Sequence, residues 1–246
     1  MTAPVEVRIV GVGMGPQHVT PEAAAALAGC DYALAVAKGE HDPLLAVRQA
    51  VCAAHGVELV VVPDPERDRS PGLDRPAYEA AVAAWYAARL AAYRSVLEER
   101  GGTCAFLVWG DPSLYDGTVR IVRELGVAFD VLPGISAPQL LAARHRVVLH
   151  EVGQPVHVTT ARRLRTDVAS GQRNLVVMLT SGVDLDGLED WSIWWGANLG
   201  GAGERVVAGR VGDVAGEIAA AREDARAEAG WVMDLFLLRG PADGAA

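Results

Sequence analysis

The sequence predicts an α/β protein of two domains, the first built on a mainly parallel sheet covered by helices and the second on a mixed sheet. Strand-like and helix-like segments alternate from the start to about residue 132, as β-α-β units require. From residue 156 onward strand-like segments follow one another with a single long helix, as hairpins require. Glycine-rich turns also stand directly after three of the strands: Gly11-Val12-Gly13-Met14-Gly15, Trp109-Gly110-Asp111-Pro112, and Pro133-Gly134-Ile135-Ser136-Ala137.

The first strand covers 5–12, and the helix over 21–28 opens with Thr20 as N-cap and Pro21 in its first turn. A strand at 32–36 follows, and Asp42-Pro43 repeats the capping signal before a helix over 44–54. After a strand at 57–62, residues 63–75 form a loop rich in proline and charge. Pro76 starts the longest helix, to about Arg100, with Ala80, Trp85, Ala88, Ala92 and Val96 in helical period. A strand at 103–109, a segment over 113–124 that is helical from Thr118, and a strand at 127–132 close the alternation. The boundary falls near 132–134, giving domains 1–132 and 133–246. The second half holds a helix at 138–144, strands at 156–160, 175–179, 192–195, 205–210 and 231–238, and a long helix at 213–228.

Hydrophobic residues make up 51% of the chain, much of it alanine. No apolar run approaches the roughly eighteen residues that span a bilayer. The start, Met1-Thr2-Ala3-Pro4-Val5-Glu6, lacks a basic region leading into an apolar stretch, so no signal peptide and no membrane association are expected. Cys30, Cys52 and Cys104 are odd in number, far apart and set in apolar segments. They read as free thiols of a cytoplasmic protein, with no metal site. The net charge of −9 argues against nucleic acid.

Positive charge is nonetheless clustered: Arg67, Arg69 and Arg75 in one loop, Arg144-His145-Arg146 in a second segment, and Arg162-Arg163 with Arg165 in a third. Arginine forks match carboxylates, so the clusters suggest an anionic small molecule; the alternative is that they are solvated helix faces or ends. The turn at Gly110-Asp111-Pro112 brings bare backbone to the carboxyl end of a strand, where α/β proteins hold small charged ligands with the free N–H donors of the next helix. Asp111 is equally suited to cap that helix.

In chain order, Gly-x-Gly-x-Gly at 11–15, Gly-Asp-Pro-x-x-Tyr at 110–115, Pro-Gly-Ile-Ser at 133–136 and Glu204-Arg205-Val206-Val207 before a helix resemble the tetrapyrrole methylases. These are the S-adenosylmethionine-dependent enzymes of corrin and sirohaem synthesis. Segments 63–69, 107–112, 142–146, 156–160 and 195–197 place the likeness, which covers nearly the whole chain, in the deacetylating branch.

The resemblance implies methyl transfer from S-adenosylmethionine to carbon 1 of precorrin-5, with hydrolytic loss of the acetyl group there, in aerobic cobalamin synthesis. A sister activity on another precorrin or on uroporphyrinogen is the alternative. It further implies S-adenosylhomocysteine as product, an anionic tetrapyrrole as substrate, a homodimer, and a cofactor cleft between the domains. On this likeness Trp109, Gly110, Asp111, Leu114 and Tyr115 line one side of the cofactor, and Ser136 and Ala137 meet it from the hinge. Met178 or Leu179 lies against it, and the loop from Ala197 to Leu199 completes the pocket. Met14 is the contact from the first loop, where it and Pro16 replace the proline and aspartate of many members; Trp109 replaces the usual first glycine of Gly-Gly-Asp. Arg67, Arg69, Arg144, Arg146, Arg162 and Arg163 are the substrate candidates.

Methyl transfer from a sulfonium is an in-line displacement and needs placement more than a strong acid or base. Deacetylation is helped by a base or an oxyanion donor, and Asp68, Tyr115 and His145 are the candidates. Two of these have a structural alternative, Tyr115 in the core and His145 at a helix end; Trp191, Trp194 and Trp195 read as packing. Two other classes stay open at this point, a nicotinamide-dependent reductase and a non-catalytic binding protein. The reductase would need an acidic residue at the end of the second strand, where Ala35-Val36-Ala37-Lys38 stands.

Overall fold

A computed structural model describes residues 4–37, 42–68, 70, 72–180, 182 and 184–241. They form two compact units, Met1–Ile135 and Ser136–Ala246.

The first unit is a five-stranded sheet of β1 (Glu6–Gly11), β2 (Tyr32–Ala37), β3 (Leu59–Pro63), β4 (Thr103–Val108) and β5 (Ala128–Leu132), in the order β3-β2-β4-β1-β5. Every pair is parallel, with Val10 of β1 in register with Leu107 of β4 and Leu132 of β5. The carboxyl ends of the central strands therefore finish in a row. The central strands are apolar on both sides because helices cover both faces. On one face Val7, Ile9, Leu34 and Phe106 pack with Tyr93 and Leu97 of α3 (Arg75–Arg100) and with Ile121 and Val122 of α4 (Thr118–Leu125). On the other, Val10 and Leu107 pack with Ala23 and Leu27 of α1 (Pro21–Ala28) and with Val51 and Cys52 of α2 (Pro43–His55).

The expected caps are in place. Thr20 accepts from the Ala23 amide at 3.1 Å, and Asp42 accepts from the amides of Leu44 and Leu45, each at 3.1 Å. Asp74 accepts from Ala77 at 2.8 Å and starts α3 at Arg75. Only Tyr93 and Leu97 of this long helix are buried.

The second unit opens with α5 (Ala137–His145) and carries β6 (His157–Thr160), β7 (Asn174–Met178), β8 (Ser192–Ala197), β9 (Arg205–Arg210) and β10 (Asp234–Arg239). Its sheet runs β6-β7-β10-β8-β9; the β6–β7 pair is parallel and the other three antiparallel, a mixed sheet. The long helix is α7 (Val211–Ala229), whose Ile218 and Ala225 join a core of Leu175, Val177, Ile193, Trp195, Phe236 and Leu238. Trp191 and Trp195 are buried, while Arg239 lies over the Trp194 ring at 5.1 Å. A further helix, α6 (Leu164–Ala169), is absent from the sequence expectation, because its six residues are too few to display a period. Cys52 and Cys104 are buried and Cys30 half-buried; burial pushes the Cys52 thiol up to about 11. Among the described residues, no helix is long and apolar enough to cross a membrane.

Candidate functional site

In the first unit the three glycine turns meet. Gly13 and Gly110 exchange two backbone hydrogen bonds, Gly13 N–H to Gly110 O at 3.2 Å and Gly110 N–H to Gly13 O at 2.8 Å, an antiparallel bridge at the ends of β1 and β4. Gly134 lies against the same place. A Cβ added there would sit 2.7 Å from Gly11 C and 2.9 Å from Gly11 Cα, and closer still to the Gly110 carbonyl oxygen. The crowding is mutual, since a Cβ on Gly11 would lie 2.5 Å from Gly134 N.

Asp111 ties the turns together. Its Oδ2 accepts from the Gly134 amide at 2.9 Å, and its Oδ1 accepts from the Ser113 amide at 2.8 Å and from the Ser113 hydroxyl. Burial pulls the carboxyl up, but the hydrogen bonds from Ser113 and Gly134 outweigh it and hold the group below the ordinary range. Asp111 does not cap the following helix: α4 starts only at Thr118, with Gly117 as N-cap, and the Thr118 amide goes to Asp116 at 2.7 Å. The free helix amides expected at this turn are thus not what it offers.

A carboxylate depressed in the folded state stabilises above its unfolded pKa, and that contribution is lost as pH falls through the folded pKa. Asp111→Asn removes this acid-side loss. It also turns an amide group, a donor, toward one of the two amides the carboxylate serves, for a cost of about 1–3 kcal/mol. Denaturant titrations of both proteins from neutral pH into the acid range check this: the difference between them shrinks as pH falls.

Around this hub, Met14 is buried, Trp109 and Leu114 are half-buried, and Tyr115 is 47% exposed with φ 51°, so it is not a core side chain. In the second unit β7 ends at Met178, which is half-buried; Leu179 is 58% exposed and also left-handed, φ 53°. Leu179 is therefore the more exposed of the two. Ser136 is spent on capping α5: Gln139 Oε1 accepts from its amide and its hydroxyl, each at 2.8 Å. Ala197 and Leu199 are buried, and Leu199 fills the space beside Gly196, which leaves their backbone alone for contact. Asn198, the middle residue of that loop, has a left-handed backbone with φ 48°. Its side chain donates to Trp231 O at 3.1 Å and accepts from Met233 N at 2.9 Å.

The profile of the tetrapyrrole (corrin/porphyrin) methylases matches residues 6–215. The chain belongs to this family. It is 41% identical to precorrin-6A synthase [deacetylating] of Sinorhizobium sp., over 97% of this chain and 96% of that protein. Among solved structures, the cobalamin synthesis related protein CobF of Corynebacterium diphtheriae is similar, with a TM-score of 0.82, 33% identity, and coverage of 96% of this chain and 99% of that one. The uroporphyrin-III C-methyl transferase of Thermus thermophilus complexed with S-adenosylhomocysteine shares the fold, with a TM-score of 0.60, 19% identity, and coverage of 95% and 97%.

In this tetrapyrrole methylase the arginine candidates divide. Arg67 is half-buried and stacks over Tyr78 at 5.9 Å; Arg69 lies outside the described residues. Arg144 is engaged by Glu204 at 2.6 Å and Arg163 by Asp167 at 3.2 Å, whereas Arg162 and Arg146 are exposed and Arg146 is the left-handed C-cap of α5. Of the deacetylation candidates, Asp68 accepts from the hydroxyl of Ser70 at 2.6 Å and its amide at 2.9 Å, which lower its pKa and weaken it as a base. His145 Nε2 lies 2.9 Å from the Trp195 carbonyl, so that nitrogen carries the proton and donates.

A polar cavity of about 210 Å³ in the first unit went unread in the sequence. Arg48, Arg89, Tyr93 and Asp116 line it, and Arg48 Nε donates to the Leu107 carbonyl at 3.0 Å at the end of β4. Burial lowers the Arg48 pKa. On the helical pattern of α2 this arginine looks like any solvent-facing residue.

Proposed function

We propose that the chain is an S-adenosylmethionine-dependent C-methyltransferase that methylates carbon 1 of precorrin-5 and releases the acetyl group there as acetate, giving precorrin-6A. The observation that carries this reading is its 41% identity, over nearly its full length, to a protein of that name. Supporting it is the agreement of the glycine junctions with the site the sequence points to: Gly13, Gly110 and Gly134 and the carboxylate of Asp111 build one hub at the carboxyl edge of a parallel sheet.

The residues present fit the cofactor. In the first unit Trp109, Leu114 and Tyr115 offer apolar surface beside Gly110 and Asp111; in the second Met178 and Leu179 do so at the end of β7. When bound, S-adenosylmethionine supplies an electrophilic methyl group. The chain's own part is to hold the ring carbon in line with that group and to keep the turns rigid, which is where such a step gains rate. Tyr115 is the exposed deacetylation candidate, Asp68 being held by Ser70, and a phenol there can donate to an oxyanion. The exposed Arg162 and Arg146, with Arg67, are the carboxylate receptors in this reading, and the working form is a homodimer in the cytoplasm.

The test is incubation with S-adenosylmethionine and precorrin-5, following methyl incorporation and free acetate. One methyl added for each acetate released is the expected result. Methylation without acetate would move the chain to a sister activity. Absence of any thermal stabilisation by saturating S-adenosylhomocysteine, beside a rise with NADPH, would overturn the methylase reading.

A further inference from the structure

Residues 231–234 lead into and open β10. Nothing in the sequence marks them as part of a site, yet the turns that follow β7 and β8 are both fastened to them. Asp234, whose side chain is 0% exposed, accepts from the Trp195 indole N–H at 3.0 Å, from Arg222 Nε at 3.1 Å, and from the Thr180 hydroxyl. Thr180 follows Leu179, and it lies 3.3 Å from the Asp234 carbonyl as well. Asp234 is also in register with Ala197, the last residue of β8. From the other side Asn198 binds the same segment three times, through Trp231 O and Met233 N and by its own amide to Met233 O at 2.9 Å.

A left-handed backbone at a residue with a side chain persists only when its surroundings over-determine it. At Leu179 the constraint is the next residue, whose hydroxyl is anchored to a buried carboxylate that Arg222 and Trp195 hold in place in turn.

We propose that Asp234 is a positioning residue for cofactor binding, acting through the Thr180 hydroxyl to keep Leu179 in the left-handed turn that presents its side chain to S-adenosylmethionine. This rests on the methylase reading. Freed of the tether, Leu179 reverts to common backbone conformations, and the apparent affinity falls by the fraction of time the competent turn is lost.

The experiment measures S-adenosylhomocysteine binding by calorimetry, well below the unfolding midpoint, for the parent, Thr180→Val and Thr180→Ser. Thr180→Val keeps the shape and removes the hydroxyl. Its Kd is expected to rise about tenfold with a drop of a few degrees in Tm, since the buried Asp234 Oδ1 loses this donor, and Thr180→Ser is expected to restore both. In turnover, KM for S-adenosylmethionine rises more than kcat falls. Asp234→Asn, which strips Arg222 of its counter-charge, weakens binding too and loses more stability. Parent-like affinity in Thr180→Val, or a loss that Thr180→Ser does not restore, overturns the inference and leaves the cofactor reading standing. A parent protein that fails to bind S-adenosylhomocysteine overturns both.

Discussion

Gly134→Ala is expected to lose cofactor binding and to unfold earlier than the parent by about 6–12 °C, equivalent to ~3 kcal/mol for a chain of this size. The added methyl would meet the Gly110 carbonyl oxygen and, at 2.7 and 2.9 Å, the backbone of Gly11. Overpacked side chains find new rotamers; backbone atoms at the end of β1 and in the turn just after β4 cannot. The hub therefore opens, and with it goes the hydrogen bond from the Gly134 amide to Asp111. Gly216→Ala is the control, since no atom lies within 4 Å of a Cβ there and the residue is inside α7. That variant is expected to be as stable as the parent or slightly more so. Thermal unfolding of the two variants with and without S-adenosylhomocysteine decides the matter; an alanine at 134 that folds and binds like the parent would mean that the hub does not shape cofactor binding.

The second large effect belongs to Asp64. Its carboxylate receives Arg89 through Nε at 3.1 Å and Nη2 at 2.7 Å, and the Trp85 indole N–H at 3.2 Å, while the guanidinium lies 4.2 Å over the Trp85 ring. Arg89 and Asp64 are only 12% and 13% exposed. Asp64→Ala leaves a largely buried cation without its counter-charge, at about 2–4 kcal/mol after allowance for the remaining exposure. Adding Arg89→Leu to it is expected to recover most of that loss, because removing both charges removes the desolvation penalty as well. Urea unfolding of the parent, both single variants and the double variant measures the coupling. Additive losses would mean that the pair does not act as a unit. The same node ties Asp64, just after β3, to Trp85 and Arg89 of α3, and Arg67 rests on Tyr78 of that helix.

Much of this was legible in the chain because it is local. Thr20 and Asp42 announce their helices within three residues, and the periodicity of α3 and the alternation of the first half require no distant partner. The glycines after β1, β4 and β5 were legible as turns for the same reason. Their meeting was not: Gly13 and Gly110 are far apart in sequence, and no pattern tells a glycine that needs positive φ from one that needs an absent Cβ. Asp111 reads equally well as an N-cap because aspartate before proline is often one, yet its amide partners are Ser113 and the distant Gly134. Asp234, Arg222 and Arg48 look like surface charge, since burial of a charge depends on pairs formed only when the sheets assemble. Leu179 carries no sign of left-handed backbone, and Asn198 only the weak one that asparagine tolerates that region.

The bridge between Gly13 and Gly110 bears on the sign of charge that this edge welcomes. The amides of Gly13, Gly110, Ser113, Thr118 and Gly134 all already donate within the chain. The carbonyl oxygens of Gly13 and Gly110 each accept one bond and keep a second lone pair, and the Asp111 carboxylate stands beside them. A phosphate-gripping glycine loop works the opposite way, by aiming open N–H groups at an anion. The edge built here commits these five amides within the chain and sets a carboxylate among them instead.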